Sequence, residues 1–423
     1  MVRTNLVVSK NKKILIHSLV FSPDGVSTAY LYNDIAKGFQ SKGYEVVVLT
    51  TTPHYNVIKD EIEKQPIKWR WFGLFGESYF NGIRVLHVPQ KKFKSLLMRI
   101  LCFVYWHIIS FFLALNEKNV SAILSPSPPL TIGLINLLIG RIKSSKVIYN
   151  VQEIYPDFLI EQRNLKSKVI INFLKWMERY VYNKSDAITT IDEIFYNTIK
   201  SRFEDQRKLH IIPNFVDIDL YKPLDQINLN STIFLQNDHI KLMYAGNIGH
   251  AQDWEPLLAL AYELKEEPFD FYIIGEGVLK QDLENDVKKN GLMNVHILPY
   301  QRRELMPHLL AFADIQFIFM SKEMEGHGFP SKVYTIMACE KPLLVCSGEG
   351  SPIVNFLRNY DCAKIITQNT LQDKVNTMAQ FLRSSKMLDY KKMGQNGLHH
   401  IKATYSKEVV VQKYIDLIDR LIK

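Results

Sequence analysis

The chain has 423 residues, enough for two ordinary domains, and its 47% apolar and 22% charged residues exclude a disordered or fibrous polypeptide. Lys and Arg total 52 against 43 Asp and Glu, so the formal charge of +9 calls for an anionic partner: a phosphorylated ligand, a nucleic acid or an acidic membrane. Cys102, Cys339, Cys346 and Cys362 sit in apolar runs without a CxxC pair, which argues against a zinc site or disulfide framework and fits a reducing compartment.

In chain order, the N-terminal stretch carries charge, then a short apolar run that leads directly into a strand pattern without a small-residue cleavage site, so no signal peptide is read. Ile14–Val20 is a β-branched strand candidate, residues 21–25 a turn, 26–42 a helix ended by Gly43, and Tyr44–Thr51 a buried strand. This β-α-β alternation implies a parallel sheet covered on both faces. Residues 122–125, 146–151, 186–191 and 209–212 continue the strand series.

Residues 96–115, LLMRILCFVYWHIISFFLAL, approach the length of a membrane span, with Arg99, His107 and Ser110 in one narrow polar stripe. Later strands of the same sheet forbid a true crossing, so the expectation is a sheet-covering helix whose outer edge touches lipid. Trp69 and Trp71 with Arg70 suit a membrane interface, and Lys91, Lys92 and Lys94 lie in a stretch, 78–116, that holds no acidic residue.

The alternation restarts near Ile240, with strand-like runs at 240–247, 269–277, 294–300, 313–320 and 342–350 and helical patterns between them. The fold class expected is α/β, two doubly wound Rossmann-like domains facing a cleft. The boundaries expected are 1–222 for the first domain with a membrane-facing segment near 66–115, 223–238 for a linker, 239–400 for the second domain, and 401–423 for a helix returning to the first domain.

Three glycine-bearing strand-to-helix turns carry the chemistry. Pro23-Asp24-Gly25 opens the first domain's first helix, and Ala245-Gly246-Asn247-Ile248-Gly249 and Gly275-Glu276-Gly277 leave neighbouring strands of the second. Glycine lets backbone amides approach an anion, and a helix N-terminus adds partial positive charge. None is GxGxxG, so the dinucleotide fingerprint is absent. In residues 325–332, EGHGFPSK, Ser331 and Lys332 would present a hydroxyl and an ammonium at a helix entry, and Glu325 an acceptor for sugar hydroxyls.

An ordered set of segments then resembles a known family: 23–56, 150–157 (NVQEIYPD), 183–191, 211–223, 244–252 and 325–345. The chain is similar to the retaining, metal-independent glycosyltransferases of family four, GT-B in fold, and within it to those building capsule, O-antigen and other surface polysaccharides. The resemblance implies a hexosyltransferase that uses a UDP-, GDP- or dTDP-sugar, with no cofactor or metal. Gly25, Asn247, Gly249, Tyr300, Glu325, His327, Ser331, Lys332 and Thr335 would bind the donor. Glu153 and Asp157 would be the catalytic carboxylates beside the reacting sugar and acceptor. His54, Trp69, Trp71, Lys91, Lys92 and Lys94 would serve the acceptor and membrane.

The implied partners are a nucleotide sugar, a lipid-linked saccharide acceptor and an anionic membrane surface, with no nucleic acid. The implied location is the cytoplasm, peripheral at the inner face of the plasma membrane. The chain departs from the family where a second glutamate would fall: Val333 in one register, Thr335 in the other. His250 and Gln252 replace a basic pair, and Glu340 stands where Gly is usual. These departures leave a catalytically impaired sugar-nucleotide-binding scaffold as one alternative. A nucleotide-sugar epimerase of the same fold is another.

Overall fold

A computed structural model describes residues 12–55, 59–91, 93–162, 165–224, 229, 233–325 and 329–423. Two compact units emerge: residues 1–214 with 408–423, and residues 215–407. The chain thus leaves the first unit at Asn214, ahead of the 223–238 segment expected as linker. It re-enters at Glu408, within the segment expected to return.

The first unit contains β1 (Lys13–His17), α1 (Ser27–Ser41), β2 (Glu45–Thr51), α2 (Lys59–Lys64), β3 (Lys68–Arg70), β4 (Phe75–Phe80), β5 (Ile83–Val88), α3 (Leu96–Asn116), β6 (Val120–Pro126), α4 (Leu130–Lys143), β7 (Lys146–Val151), α5 (Asp157–Gln162), α6 (Lys168–Lys184), β8 (Ala187–Thr190), α7 (Glu193–Ile199) and β9 (Leu209–Ile211). Its sheet has the order β3-β4-β5-β2-β1-β6-β7-β8-β9. Strands β5 through β9 pair in parallel, while β3 and β4 add an antiparallel edge. The sequence reading missed that edge, because these short strands mix polar and aromatic residues and one of them, β3, is exposed throughout.

The second unit contains β10 (Ile240–Ala245), α8 (Glu255–Glu263), β11 (Phe269–Ile274), α9 (Lys280–Lys289), β12 (Val295–Leu298), α10 (Met306–Phe312), β13 (Ile315–Phe319), α11 (Lys332–Ala338), β14 (Leu343–Cys346), α12 (Pro352–Leu357), β15 (Ala363–Ile366), α13 (Leu371–Ser384) and α14 (Met387–Thr404). All pairings are parallel in the order β12-β11-β10-β13-β14-β15. This is the doubly wound order, which reverses between β10 and β13 and opens a crevice at the carboxyl ends of those strands. Phe271, Ile273 and Phe317 fill one side of the sheet, and Ile318, Val345 and Met337 the other.

The last helix, α15 (Lys407–Leu421), packs on the first unit. Gly38 on α1 is open for it: a Cβ there would stand 2.3 Å from Val411 Cγ1. Tyr44 Oη donates to Asp419 at 2.6 Å, and Lys12 pairs with the same carboxylate. At the other end of its crossing, Val216 N donates to Tyr405 O and Lys407 N to Val216 O, so the two ends of the second unit lie side by side.

Helix α3 leaves much of its apolar surface bare. Leu97–Asn116 has a mean hydropathy of 1.8, and only 17% of that apolar stretch is buried. Leu97, Ile100, Val104, Ile108 and Phe112 are exposed. Of its polar stripe, Arg99 is exposed, whereas Ser110 is fully buried and His107 Nε2 meets Thr131 Oγ1 at 2.7 Å. Trp106 anchors the inner face against His17, ring centroids 5.2 Å apart. Burial takes both His17 and His107 down to a pKa of about 4, so they pack as neutral rings.

Candidate functional site

In the second unit, the turns leaving β10 and β11 are built on one another. Gly246 N donates to Ile274 O and Ile248 N to Glu276 O, both at 2.9 Å. A Cβ on residue 275 would stand 1.8 Å from Gly246 O, and one on 277 would stand 2.0 Å from Ile248 O. Only glycine permits that approach. Beside the stacked turns lies a cavity of about 390 Å3 lined by Ala245, Gly246, Asn247, Ile274, Glu276, Tyr300 and neighbours. Apolar walls with a few placed polar groups suit a flat heterocycle carrying hydroxyls. Of the expected donor residues, Asn247 and Tyr300 line this cavity, and Gly249 leaves space that Asn247 Nδ2 takes, 2.7 Å from where a Cβ would be.

Lys332 reaches the same turns from across the crevice. It is the first residue of α11, and its Nζ donates to Ala245 O at 3.2 Å. It lies 3.8 Å from the centroid of the Tyr244 ring, and a Cβ on residue 246 would come within 2.5 Å of it. The residue as a whole keeps partial exposure, whereas the ammonium end is enclosed by the turn and the ring. Desolvation lowers its pKa to about 7, with no carboxylate among the described residues compensating the charge. An anion placed against this ammonium would favour its charged form.

Ser331, just before α11, is exposed, and its hydroxyl makes no capping bond. Glu325 is half-buried with its carboxylate against Gly348, where a Cβ would lie 2.3 Å from Oε2. Thr335 takes no part in the turn cluster: its Oγ1 donates to Lys332 O at 2.8 Å, within its own helix. His327 lies outside the described residues.

In the first unit, Asp24 ties the turn after β1 to the loop after β2. Its Oδ1 accepts from both His54 N and Tyr55 N at 2.8 Å, and Gly25 N donates to Tyr55 O. Burial raises the Asp24 pKa above the ordinary carboxylate value, against those amides. The expected residues Gly25 and His54 are thus brought together, with the His54 ring fixed by Thr51 Oγ1 and Thr52 O. Sequence reading passed over Asp24 as part of a turn.

Ser127 holds the loop that carries Glu153: its Oγ accepts from Gln152 N at 2.9 Å and Glu153 N at 3.2 Å, and donates to Glu153 O at 3.0 Å. Beneath it, Asn150 Oδ1 accepts from Tyr32 Oη and Gln152 Nε2, and Gln152 also bonds Asn214. This buried network gives the NVQEIYPD segment a rigid footing.

The Asp157 carboxylate is bound to Arg202, which also holds the buried Glu178. Burial pushes the Glu178 pKa up to about 7 even with the guanidinium beside it. One arginine thus bridges two acids, one of them buried, and ties Asp157 at the start of α5 to Glu178 on α6.

Trp69 and Trp71 are exposed at the β3–β4 turn, and Phe72 at its tip is wholly exposed. Trp71 and Phe72 have φ of 47° and 55°, a conformation that side chains other than glycine adopt at a cost. Tyr105 Oη on α3 donates to Leu74 O, joining this aromatic tip to the exposed helix. Lys91 and Lys94 are exposed between β5 and α3, and Lys92 lies outside the described residues. No group of three or more His, Cys, Asp or Glu suited to a metal occurs among the described residues.

Two family models between them match most of the chain: Glycosyltransferase Family 4 over residues 29–220 and Glycosyl transferases group 1 over 227–400. The chain belongs to glycosyltransferase family four. WcaI of Escherichia coli (strain K12), a glycosyl transferase named for colanic acid biosynthesis, is 23% identical over 334 residues, 77% of this chain and 81% of WcaI. Anabaena Alr3699/HepE, solved in complex with UDP, superposes with a TM-score of 0.69 at 14% identity, covering 96% of this chain and 100% of HepE. WaaG, a glycosyltransferase involved in lipopolysaccharide biosynthesis, gives 0.63 at 14% identity over 96% and 99%. The fold is GT-B, as the sequence reading expected, and the protein is a transferase.

Proposed function

We propose that this protein moves a hexose from a nucleoside-diphosphate sugar to a lipid-linked saccharide at the cytoplasmic leaflet, in surface-polysaccharide assembly, with retention of configuration. The observation that carries the donor half is the Lys332 ammonium under the Gly246 turn, next to a nucleoside-sized cavity. The UDP bound to HepE and the naming of WcaI support the donor and product classes.

In this reading the base and ribose enter the cavity beside Tyr300, and the diphosphate meets Lys332, Ser331 and the turn amides. Negative charge grows on the leaving phosphate as the glycosidic bond breaks, and preorganised donors stabilise that charge. The donor's own phosphate oxygen takes the acceptor proton on the same face of the sugar, and Glu153 orients the acceptor hydroxyl. Lys332 supplies the positive charge, so no step calls for a metal. The exposed α3, the Trp69–Trp71 tip and Lys91 and Lys94 rest on the anionic leaflet where a polyprenyl-type acceptor lies.

Thermal shift with UDP, GDP, dTDP, CMP and their sugars, with and without EDTA, tests the donor reading. One nucleoside diphosphate should stabilise the protein selectively and without metal; no shift from any sinks the reading. Thr335, at one register of the family's second glutamate, turns its hydroxyl back into its own helix, and this favours one rival, a non-catalytic donor-binding scaffold. Donor binding without transfer to any acceptor would establish that rival.

A further inference from the structure

The apolar surface of the first unit does not stop at α3. Helices α3, α4 and α6 stand side by side on one face of the sheet, with Trp106, Leu130 and Val181 in one core cluster. On the outside of α6, Val169, Phe173, Trp176 and Tyr180 are all exposed, at 80, 54, 57 and 41%. At 3.6 residues per turn these four fall within about 60° of one another. They form a ladder: Phe173 stacks on Trp176 at 5.9 Å and Trp176 on Tyr180 at 5.7 Å. Leu138 and Ile142 of α4, also exposed, lie on the helix between this ladder and α3.

Charge decides what covers this band. Residues 91–184 contain 14 Lys and Arg against 5 Asp and Glu. Three of those acids, Glu117, Asp157 and Glu178, are already bound to Arg84 or Arg202. On α6 itself the exposed Lys168, Lys175 and Arg179 form their own row, about 110° round the helix from the aromatics. A helix with one buried face, one aromatic face and one basic face is built to lie in a bilayer's headgroup region, where rings with polar tips and cations are both favoured.

We propose that α6 is a second membrane-seating helix, and that its aromatic ladder and basic row bind an anionic lipid bilayer together with α3. Two ridges on neighbouring helices fix the orientation of the unit on the leaflet, which one ridge would leave free to roll. The inference rests on the membrane half of the function proposed above and extends it to a helix that contributes nothing to that proposal.

The test is sedimentation of the full chain with vesicles of phosphatidylglycerol and phosphatidylethanolamine, against vesicles of phosphatidylcholine alone. The wild type should partition onto the anionic vesicles. Phe173→Ser with Trp176→Ser should lower that partitioning at least tenfold, while the melting temperature and the nucleotide-induced shift stay unchanged. Trp176→Phe should keep most of the binding and remove part of the tryptophan quenching by brominated phosphatidylglycerol, the remainder coming from Trp69 and Trp71.

Lys168→Gln with Lys175→Gln and Arg179→Gln should erase the preference for anionic lipid. Binding of the double serine variant within twofold of wild type would overturn the role of α6 and leave that of α3 standing. Failure of the wild type to bind anionic vesicles would overturn both. Concentration-dependent dimers that the serine pair abolishes, with vesicle binding intact, would assign the ladder to a second copy and overturn the proposal.

Discussion

Lys332 makes donor affinity depend on pH in a defined direction. Its pKa in the free protein is about 7, set by desolvation. A diphosphate seated against it should hold the charged form well above that value. Only the protonated fraction of free protein is then competent, about 90% at pH 6 and about 3% at pH 8.5, so affinity should fall about thirtyfold, or about 2 kcal/mol.

The probe should be the nucleotide sugar, whose diphosphate has no ionisation near neutrality. Isothermal titration at pH 6, 7 and 8.5, in buffers of different ionisation enthalpy, reads both the constant and the proton taken up. Uptake should rise from near zero at pH 6 to about one proton at pH 8.5. Lys332→Met should bind weakly at every pH with no uptake. A flat affinity and no proton uptake in the wild type would refute the argument, because the ammonium would then be charged already or out of contact.

The unliganded protein gives an independent reading. The folded pKa lies below the ordinary lysine value, so between pH 7 and roughly 10.4 the unfolded chain binds more protons, and this residue's contribution to stability rises with pH across that window. Lys332→Met should remove that rise.

Gly275→Ala should place a methyl 1.8 Å from Gly246 O and cost about 1–3 kcal/mol, visible as a lower melting temperature together with loss of nucleotide binding. Arg202→Ala should leave Glu178 buried beside Asp157 without a counterion and destabilise by about 3–5 kcal/mol near neutral pH. The Glu178 carboxyl already has a folded pKa raised to about 7, so the variant should lose stability as pH rises from 4.5 through 7 and recover part of it in acid, as denaturation followed across that range will read. Glu153→Gln should lower kcat for transfer and leave the donor KM within twofold, since the carboxylate serves the acceptor side; an unchanged kcat would remove it from the mechanism.

What the sequence disclosed was local. The β-α-β alternation, the glycine turns at 246 and 275 and the PSK entry of α11 are each written in a few consecutive residues, and the structure assembles them into one crevice edge. What it concealed depends on distant partners. Asp157 reads as an acid beside Glu153 until Arg202, 45 residues on, is seen to hold it. The polar stripe of α3 groups Arg99, His107 and Ser110 on one side of the helix, yet His107 and Ser110 are turned inward by Thr131 and the neighbouring core while Arg99 is exposed. The α6 ladder is not marked as exposed by its sequence, because Phe, Trp and Tyr at helical spacing belong to the interior far more often than to the surface. The lowered pKa of Lys332 follows from enclosure under Gly246, which no spacing in the chain encodes.

The seat of α15 on α1 has a consequence for how the protein is made. Gly38 is shaped for Val411 and Tyr44 for Asp419, partners separated from them by more than 370 residues of chain. At roughly 5–20 residues per second, the first unit waits on the order of 10–40 seconds after its first 214 residues are made for the helix that closes it. During that interval the whole second unit is synthesised, and the groove on α1 stands open. The unit translated first is therefore completed last, and a protease cut or a stop codon before residue 408 would damage the opposite end of the sequence.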